Sequence, residues 1–265
     1  MEADTAKLKE MACAACAETW DDRKSNQQPQ CKFGEEGICC RICSMGPCRI
    51  TPKASRGICG ADAHAIAGRH YLRMAAAGSA AHSDHGREIA HVLHKSSRDG
   101  SYKVRDEGKL RRLAAEWGIE TEGRDIYDVA HEVAEFGLME YGKPFGTLEF
   151  LKRGTEERQK VWKETGIAPR AIDREIATSL HMTHMGNTAD AETLVRQSLR
   201  VGMADGWGGS MMGTEFTDIL FGTPEVRTTE GNLGVLEQEM VNIIVHGHDP
   251  AFSEMIVIAA EMKEM

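Results

Sequence analysis

A chain of 265 residues can bury a sizeable core, and 41% hydrophobic against 28% charged residues is the balance of a folded protein rather than a disordered one. The net charge of -9 and an aromatic content of 6% argue against nucleic acid, which asks for a basic footprint and stacking surfaces. No apolar run approaches the roughly 18 residues that cross a bilayer, and the opening "MEADTAKLKEMACAAC" has no signal-peptide core. A cytoplasmic protein with no transmembrane segment is expected.

In chain order, Leu8, Met11, Ala15 and Trp20 fall at near-helical spacing and predict a helix over 5–20. Residues 25–60 contain Pro29, Pro47, Pro52 and several glycines, so loops and short turns are expected there. A helix returns over 62–95, with a break expected at Gly78-Ser79. Further helices are expected at 106–118, 125–137, 146–164, 170–182 and 190–204, with strand content close to nil. The pattern changes at "VNIIVHGHDPAFSEMIVIAAEMKEM", where residues 241–245 are a β-branched run followed by a turn and an amphipathic helix. That is the opening of a Rossmann-like α/β domain, and a parallel strand needs a neighbouring strand that the rest of the sequence does not supply. The fold class expected is therefore mainly α: a helical domain over 1–235 with a cysteine-rich loop at about 29–60, then the first strand and helix of a truncated α/β domain over 236–265.

All eight cysteines lie in the first 59 residues. A large chain without an export signal makes a disulfide framework improbable and metal binding the better class. Cys40, Cys43, Cys48 and Cys59 combine a C-x2-C step with two longer spacers, which closes a loop around a bulky object. Typical structural zinc sites use two C-x2-C knuckles, and only one occurs in this cysteine-dense segment, so an iron–sulfur cubane is favoured over zinc. Cys31 and Cys39 remain as a pair too few to hold a cubane. Either Cys13 and Cys16 complete an intrachain set, or the same pair from a second copy does so across a two-fold axis. Cys13 and Cys16 read equally well as small buried residues on an alanine-rich helix.

"HSDHGREIAHVLH" places His82, His85 and His91 on one helix, the first two on one face and His91 rotated from them. Imidazoles titrate near neutrality and can take a proton on one nitrogen while releasing another, so such a series can relay protons. His246 and His248 in "VHGHDP" follow the predicted strand, where α/β proteins place functional groups, and either could ligate a metal. "ADGWGGSMMGTE" resembles a glycine-rich turn feeding a helix, but it lacks the P-loop lysine; close backbone packing explains it better than phosphate binding.

"QPQCKFGEEGICCRICSMGPCRI", "GICGADAHAIAGRHYLRMAAAGSAAHSDHGR", "MTHMGNTAD", "ADGWGGSMMGTEFTDILFGTPE" and "NLGVLEQEMVNIIVHGHDPAFSEMI" together resemble the anaerobic nickel–iron–sulfur carbon monoxide dehydrogenases, in their amino-terminal portion, from about Trp20 onward. The resemblance implies that Cys40, Cys43, Cys48 and Cys59 hold a relay [4Fe–4S] cluster. It implies that Cys31 and Cys39 share a [4Fe–4S] cluster with an identical subunit in a homodimer, which leaves Cys13 and Cys16 as non-ligands. His82, His85 and His91 would form a proton path, with Glu88 standing where the family commonly continues with histidine. His248 would ligate the pendant iron of the Ni–Fe–S active-site cluster, with His246 beside it; the remaining ligands of that cluster are cysteines, and none follows Cys59. The implied reaction is CO + H2O → CO2 + 2H+ + 2e−, with electrons passing to a ferredoxin-type acceptor and acetyl-CoA synthase as a further partner. The chain alone is expected to lack this activity. The alternatives are a stand-alone iron–sulfur electron-transfer module and a hybrid-cluster-type hydroxylamine reductase, and the extra cysteine pair and the histidine series weigh against the latter.

Overall fold

The computed structural model describes residues 3–226, 228, 239–245 and 250–262. The expected amino-terminal helix is two: α1 (Ala3–Ala14) and α2 (Trp20–Asn26). The division falls where Thr19 caps α2, accepting from the Asp22 amide while the Asp22 carboxylate reaches back to the Thr19 amide, a reciprocal arrangement that starts a new helix. Leu8, Met11 and Trp20, the apolar stripe that suggested one continuous helix, are largely exposed.

The cysteine-rich segment is loop with three small elements. These are α3 (Lys32–Glu35) and the two-residue strands β1 (Cys39–Cys40) and β2 (Cys48–Arg49), paired antiparallel with Cys40 opposite Cys48. Then comes α4 (Ala63–Asp99), 37 residues long and thus about 55 Å at 1.5 Å per residue. Asp62 caps its start by accepting from the Ala65 amide, and Gly100, at φ 68, ends it in the left-handed conformation that glycine tolerates best. The break expected at Gly78-Ser79 is absent. Ser79 is buried against neighbouring elements, and tertiary packing carries the helix through a weak local propensity.

The remaining elements surround α4: α5 (Glu107–Glu116), α6 (Ile126–Gly142), α7 (Glu156–Glu164), α8 (Ile172–Met182), α9 (Ala191–Ala204) and α10 (Met211–Phe221), with α6, α8, α9 and α10 packing directly on it. The helix expected over 146–164 is a 3-10 turn at Glu149–Arg153 followed by α7. The glycine-rich stretch is a π-helical turn, Asp205–Ser210, that joins α9 to α10 without interruption. The main core fills the space between these helices. At its centre Trp117 lies 4.7 Å from Phe136, 5.3 Å from Phe150 and 6.3 Å from Phe216, ring centre to ring centre. Cys40, Ala61, Ala65 and Ile66 form a separate small core under the cysteine loop.

Glu175 ties α8 to α9. It is fully buried, accepts from the Arg170 amide and Nε at 3.0 and 2.8 Å, accepts from Gln197 Nε2 at 3.1 Å, and lies 3.3 Å from Arg200 Nε. Burial alone would raise its carboxyl pKa, but the hydrogen bonds from Arg170 and Gln197, with the Arg200 charge, hold it below the usual value of 4.5. Glu175→Gln is expected to cost about 2 kcal/mol, less than the roughly 3–5 kcal/mol of a fully enclosed pair because both arginines reach solvent. A depressed carboxyl stabilises fully above its unfolded value and loses that stabilisation as pH falls through the folded value. Melting temperatures should therefore converge for wild type and Glu175→Gln as pH drops below 4.5.

Residues 241–245 are irregular rather than a strand, with Val241, Ile243 and Ile244 exposed. Among the described residues β1 and β2 are the only strands, and neither pairs with the β-branched run. The helix expected after it is α11 (Pro250–Met262), seated through Phe252 against Phe221 at 5.0 Å. No helix among the described residues is long and apolar enough to cross a membrane.

Candidate metal centre

The β1–β2 hairpin sets Cys40 opposite Cys48, and the loop between them carries Cys43. A second turn returns Cys59: the Gly57 amide donates to the Ala61 carbonyl at 2.8 Å, and Gly60 takes φ 88, where a side chain would be strained. Cys40, Cys43, Cys48 and Cys59 thereby line one cavity, whose other walls include Ile42, Ile58, Ile66 and Met185. The two sulfurs added by the longer spacers both receive hydrogen bonds. The Ile58 amide donates to Cys48 Sγ at 3.4 Å, and Arg69 Nη1 donates to Cys59 Sγ at 3.5 Å.

The Cys59 thiol is drawn down to about 7. The Ala61 amide, then Arg69 and the Gly186 amide, outweigh the burial that would raise it. Thiolate character at neutral pH is what an iron or zinc ligand needs. Four thiolates on a single zinc would stand about 3.8 Å apart, given Zn–S bonds of about 2.3 Å. No three of these sulfurs come within 4.8 Å of one another, so they surround a larger space between apolar walls with donors aimed at sulfur. This donor set suits an iron–sulfur cage better than one ion.

Arg69, on α4, is the participant that motif reasoning passes over. It is 2% exposed, and its Nε and Nη2 donate to the Thr188 carbonyl at 2.9 and 2.7 Å. One guanidinium thus binds the loop after α8, which brings Met185 to the cavity wall, to the turn that presents Cys59. Arg69→Met is expected to cost about 3 kcal/mol, the sum of charged hydrogen bonds lost in a buried place. Arg69→Lys should recover only part of this because an ammonium cannot fork to both sides. Thermal melts of the two variants check the order.

Cys31 and Cys39 stand apart from the cavity. Cys31 is exposed at the amino end of α3, and Arg49 stacks on Phe33 at 4.3 Å, tying α3 to the hairpin that carries Cys39. Cys39 is half-buried in β1, with its carbonyl accepting from His70 Nε2 at 3.0 Å. Cys13 and Cys16 are both exposed, Cys13 near the end of α1 and Cys16 just beyond it, so they are not the buried small residues that their alanine-rich setting suggested. They border a different depression, with Thr19 and Asp22.

His82, His85 and His91 all lie on α4. His82 is half-buried and its Nδ1 donates to Asp205 in the π turn at 2.7 Å; His85 and His91 are exposed, His85 beside Gly213 of α10. The glycine-rich stretch does pack backbone against backbone, because the π turn lies directly on α4 at His82, Ser83 and Gly86. His246 and His248 lie outside the described residues.

Residues 38–265 match the Prismane/CO dehydrogenase family. Carbon monoxide dehydrogenase 1 of Methanosarcina acetivorans is 51% identical over 253 residues, which are 94% of this chain and 40% of that protein. Carbon monoxide dehydrogenase 1 of Carboxydothermus hydrogenoformans is 43% identical over 96% of this chain and 41% of its own length. In structure, the Ni-free carbon monoxide dehydrogenase of Thermococcus sp. AM4 superposes with a TM-score of 0.88 at 46% identity, over 100% of this chain and 43% of that one. An acetyl-CoA synthase/carbon monoxide dehydrogenase described with NiZn[Fe4S4] and NiNi[Fe4S4] clusters superposes with a TM-score of 0.85 at 40% identity, over 98% of this chain and 40% of that one. The chain spans about two-fifths of the length of these relatives. Sequence and helical architecture agree, and the chain belongs to the Prismane/CO dehydrogenase family.

Proposed function

We infer that this chain is the relay-cluster part of a carbon monoxide dehydrogenase. The observation that carries the reading is the convergence of Cys40, Cys43, Cys48 and Cys59 on one apolar-walled cavity, with the Ile58 amide and the Arg69 guanidinium directed at the sulfurs. Cys40, Cys43, Cys48 and Cys59 would hold a [4Fe–4S] cluster, which would supply one-electron transfer, and the Ile58 amide and Arg69 guanidinium would offset negative charge on the sulfurs. Cys31, exposed, and Cys39 form the half-site of a second [4Fe–4S] cluster, completed by the same pair of a second copy. His82 Nδ1 donates a hydrogen bond to the Asp205 carboxylate, which fixes the orientation of the ring at the start of the path. His85 and His91 continue the path along α4 to solvent.

His248 is the expected imidazole ligand of the Ni–Fe–S centre, whose thiolate ligands this chain does not contain after Cys59. The 265-residue polypeptide should therefore bind iron yet show no CO oxidation with a viologen acceptor. A ferredoxin-type protein is the electron acceptor in this reading, in the reducing cytoplasm, and acetyl-CoA synthase is a further partner. That relatives at up to 51% identity are carbon monoxide dehydrogenases favours CO over hydroxylamine as substrate.

Anaerobic iron and sulfide analysis combined with mass in solution tests the cluster arrangement. A dimer with about six irons per chain is expected, against about eight for two complete intrachain cubanes and almost none for zinc. A strict monomer that keeps its full iron would remove the shared cluster from the account.

A further inference from the structure

Away from the cysteine loop, α4 and α6 bring together three side chains that neither the relay site nor the proton path uses. His94 lies on α4, while His131 and Glu135 lie one turn apart on α6 and so share a face. The two imidazoles stack with ring centres 4.2 Å apart and planes 27° from parallel. Their Nε2 atoms converge on one oxygen: Glu135 Oε1 is 3.7 Å from His94 Nε2 and 3.6 Å from His131 Nε2. All three ligand atoms lie within 4.8 Å of one another.

These separations are too long for hydrogen bonds. They are close to the edge of a coordination tetrahedron, which is about 3.3 Å for nitrogen and oxygen ligands at about 2.0–2.1 Å from a metal. Glu135 is 60% exposed, so its side chain has the freedom to close the remaining few tenths of an ångström.

The proton inventory points the same way. Ser97, 7% exposed, donates its single hydroxyl proton to the His94 carbonyl at 2.6 Å. Its second contact, at 3.0 Å to His131 Nδ1, must then be one in which Ser97 accepts. His131 therefore carries a proton on Nδ1, and in the neutral form of the ring Nε2 is the lone-pair atom, facing a carboxylate oxygen. Two acceptors facing each other repel unless a proton on Nε2 or a metal cation lies between them, and at 3.6 Å the contact is longer than a hydrogen bond. Fixing the far ring nitrogen with a hydrogen bond is also how proteins orient histidine ligands.

We propose that His94, His131 and Glu135 form a binding site for a divalent first-row transition metal, with water completing the coordination and Ser97 positioning His131. Two imidazoles and one carboxylate suit zinc, cobalt, nickel or copper, whereas calcium and magnesium take oxygen ligands. The site is independent of the iron–sulfur reading.

Cobalt(II) is the probe, because cobalt held by thiolate shows intense sulfur-to-metal charge transfer and cobalt held by nitrogen and oxygen shows only weak ligand-field bands. Titration of the full chain should reveal one cobalt of the second kind. His94→Ala and His131→Ala should lose it. Glu135→Gln, at an exposed position that leaves folding intact, should weaken it at least about tenfold, and Ser97→Ala by roughly 10–100-fold. Glu132→Gln on the same helix, which removes the partner of Arg124, should leave it unchanged. The proposal is overturned if the chain takes up no such cobalt at millimolar free metal, or if Glu135→Gln and His131→Ala bind it like the unaltered protein.

Discussion

Cys43→Ser should remove about four irons per chain while the helical domain stays folded. Cys43 is the second of the four cysteines of the proposed relay set, on the loop between β1 and β2, and serine offers that cavity a poor donor for iron. The rest of the molecule is insulated from the loss. The small core under the cysteine loop, built on Cys40, Ala61, Ala65 and Ile66, shares no residue with the main core around Trp117 and Phe216. The melting transition of the helices should therefore move by no more than about 0.5 kcal/mol, as for a change away from the core. In an anaerobic preparation, iron would fall from about six per chain to about two, the share of the cluster held with a second copy. Cys16→Ser, at an exposed thiol bordering a different depression, is the control and should leave iron unchanged. Equal iron in the wild type and Cys43→Ser would exclude Cys43 as a ligand and dismantle the four-cysteine set.

The contrast between Cys43 and Arg69 shows what could be read from the chain and what could not. Cysteine spacing is a local signal, and the turns that gather Cys40, Cys43, Cys48 and Cys59 are built from nearby prolines and glycines, so their convergence on one cavity could be expected before any fold. Arg69 is one more cation on a helix until the chain folds; its carbonyl partner, Thr188, is 119 residues away. His94 and His131 meet in the same way, across two helices.

The helices expected from 106, 125 and 190 are found, and their starts fall at Asp106, Asp125 and Asp190, whose side chains cap them. Helix positions were misread where packing decided. Ser79 continues α4 because it is buried. The helix expected over 146–164 is interrupted at Gly154, where a Cβ would stand 2.5 Å from the Trp162 ring, a contact that no local pattern announces. The β-branched run at 241–245 signals strand propensity, but pairing is a property of two segments, and here only one is described.

A stability effect as large as that of Arg69→Met is expected at Gly209, in the π turn. A Cβ there would stand 2.8 Å from the Ser83 amide nitrogen and 2.9 Å from the His82 carbonyl carbon and oxygen. The approach is reciprocal, since a Cβ on Gly86 would stand 2.5 Å from the Gly209 carbonyl oxygen. Both obstacles are backbone atoms inside long packed helices, so no side chain can swing aside, and Gly209→Ala must push the turn off α4. The cost should be about 3 kcal/mol, at the upper end for an overpacked core. At roughly 2–4 °C per kcal/mol for a chain of this size, the drop in melting temperature is easily measured. The same displacement would carry Asp205 away from His82 Nδ1, now 2.7 Å distant, and with it the group that fixes the first histidine of the proposed proton path. Gly206 separates this mechanism from a general intolerance of alanine in the turn. It lies in the same π-helical segment with no atom within 4 Å of its would-be Cβ, so Gly206→Ala should be neutral or stabilise by about 0.4–1 kcal/mol, by narrowing the unfolded ensemble. If the two alanine variants melt alike, the close approach of turn and helix is not what makes Gly209 necessary.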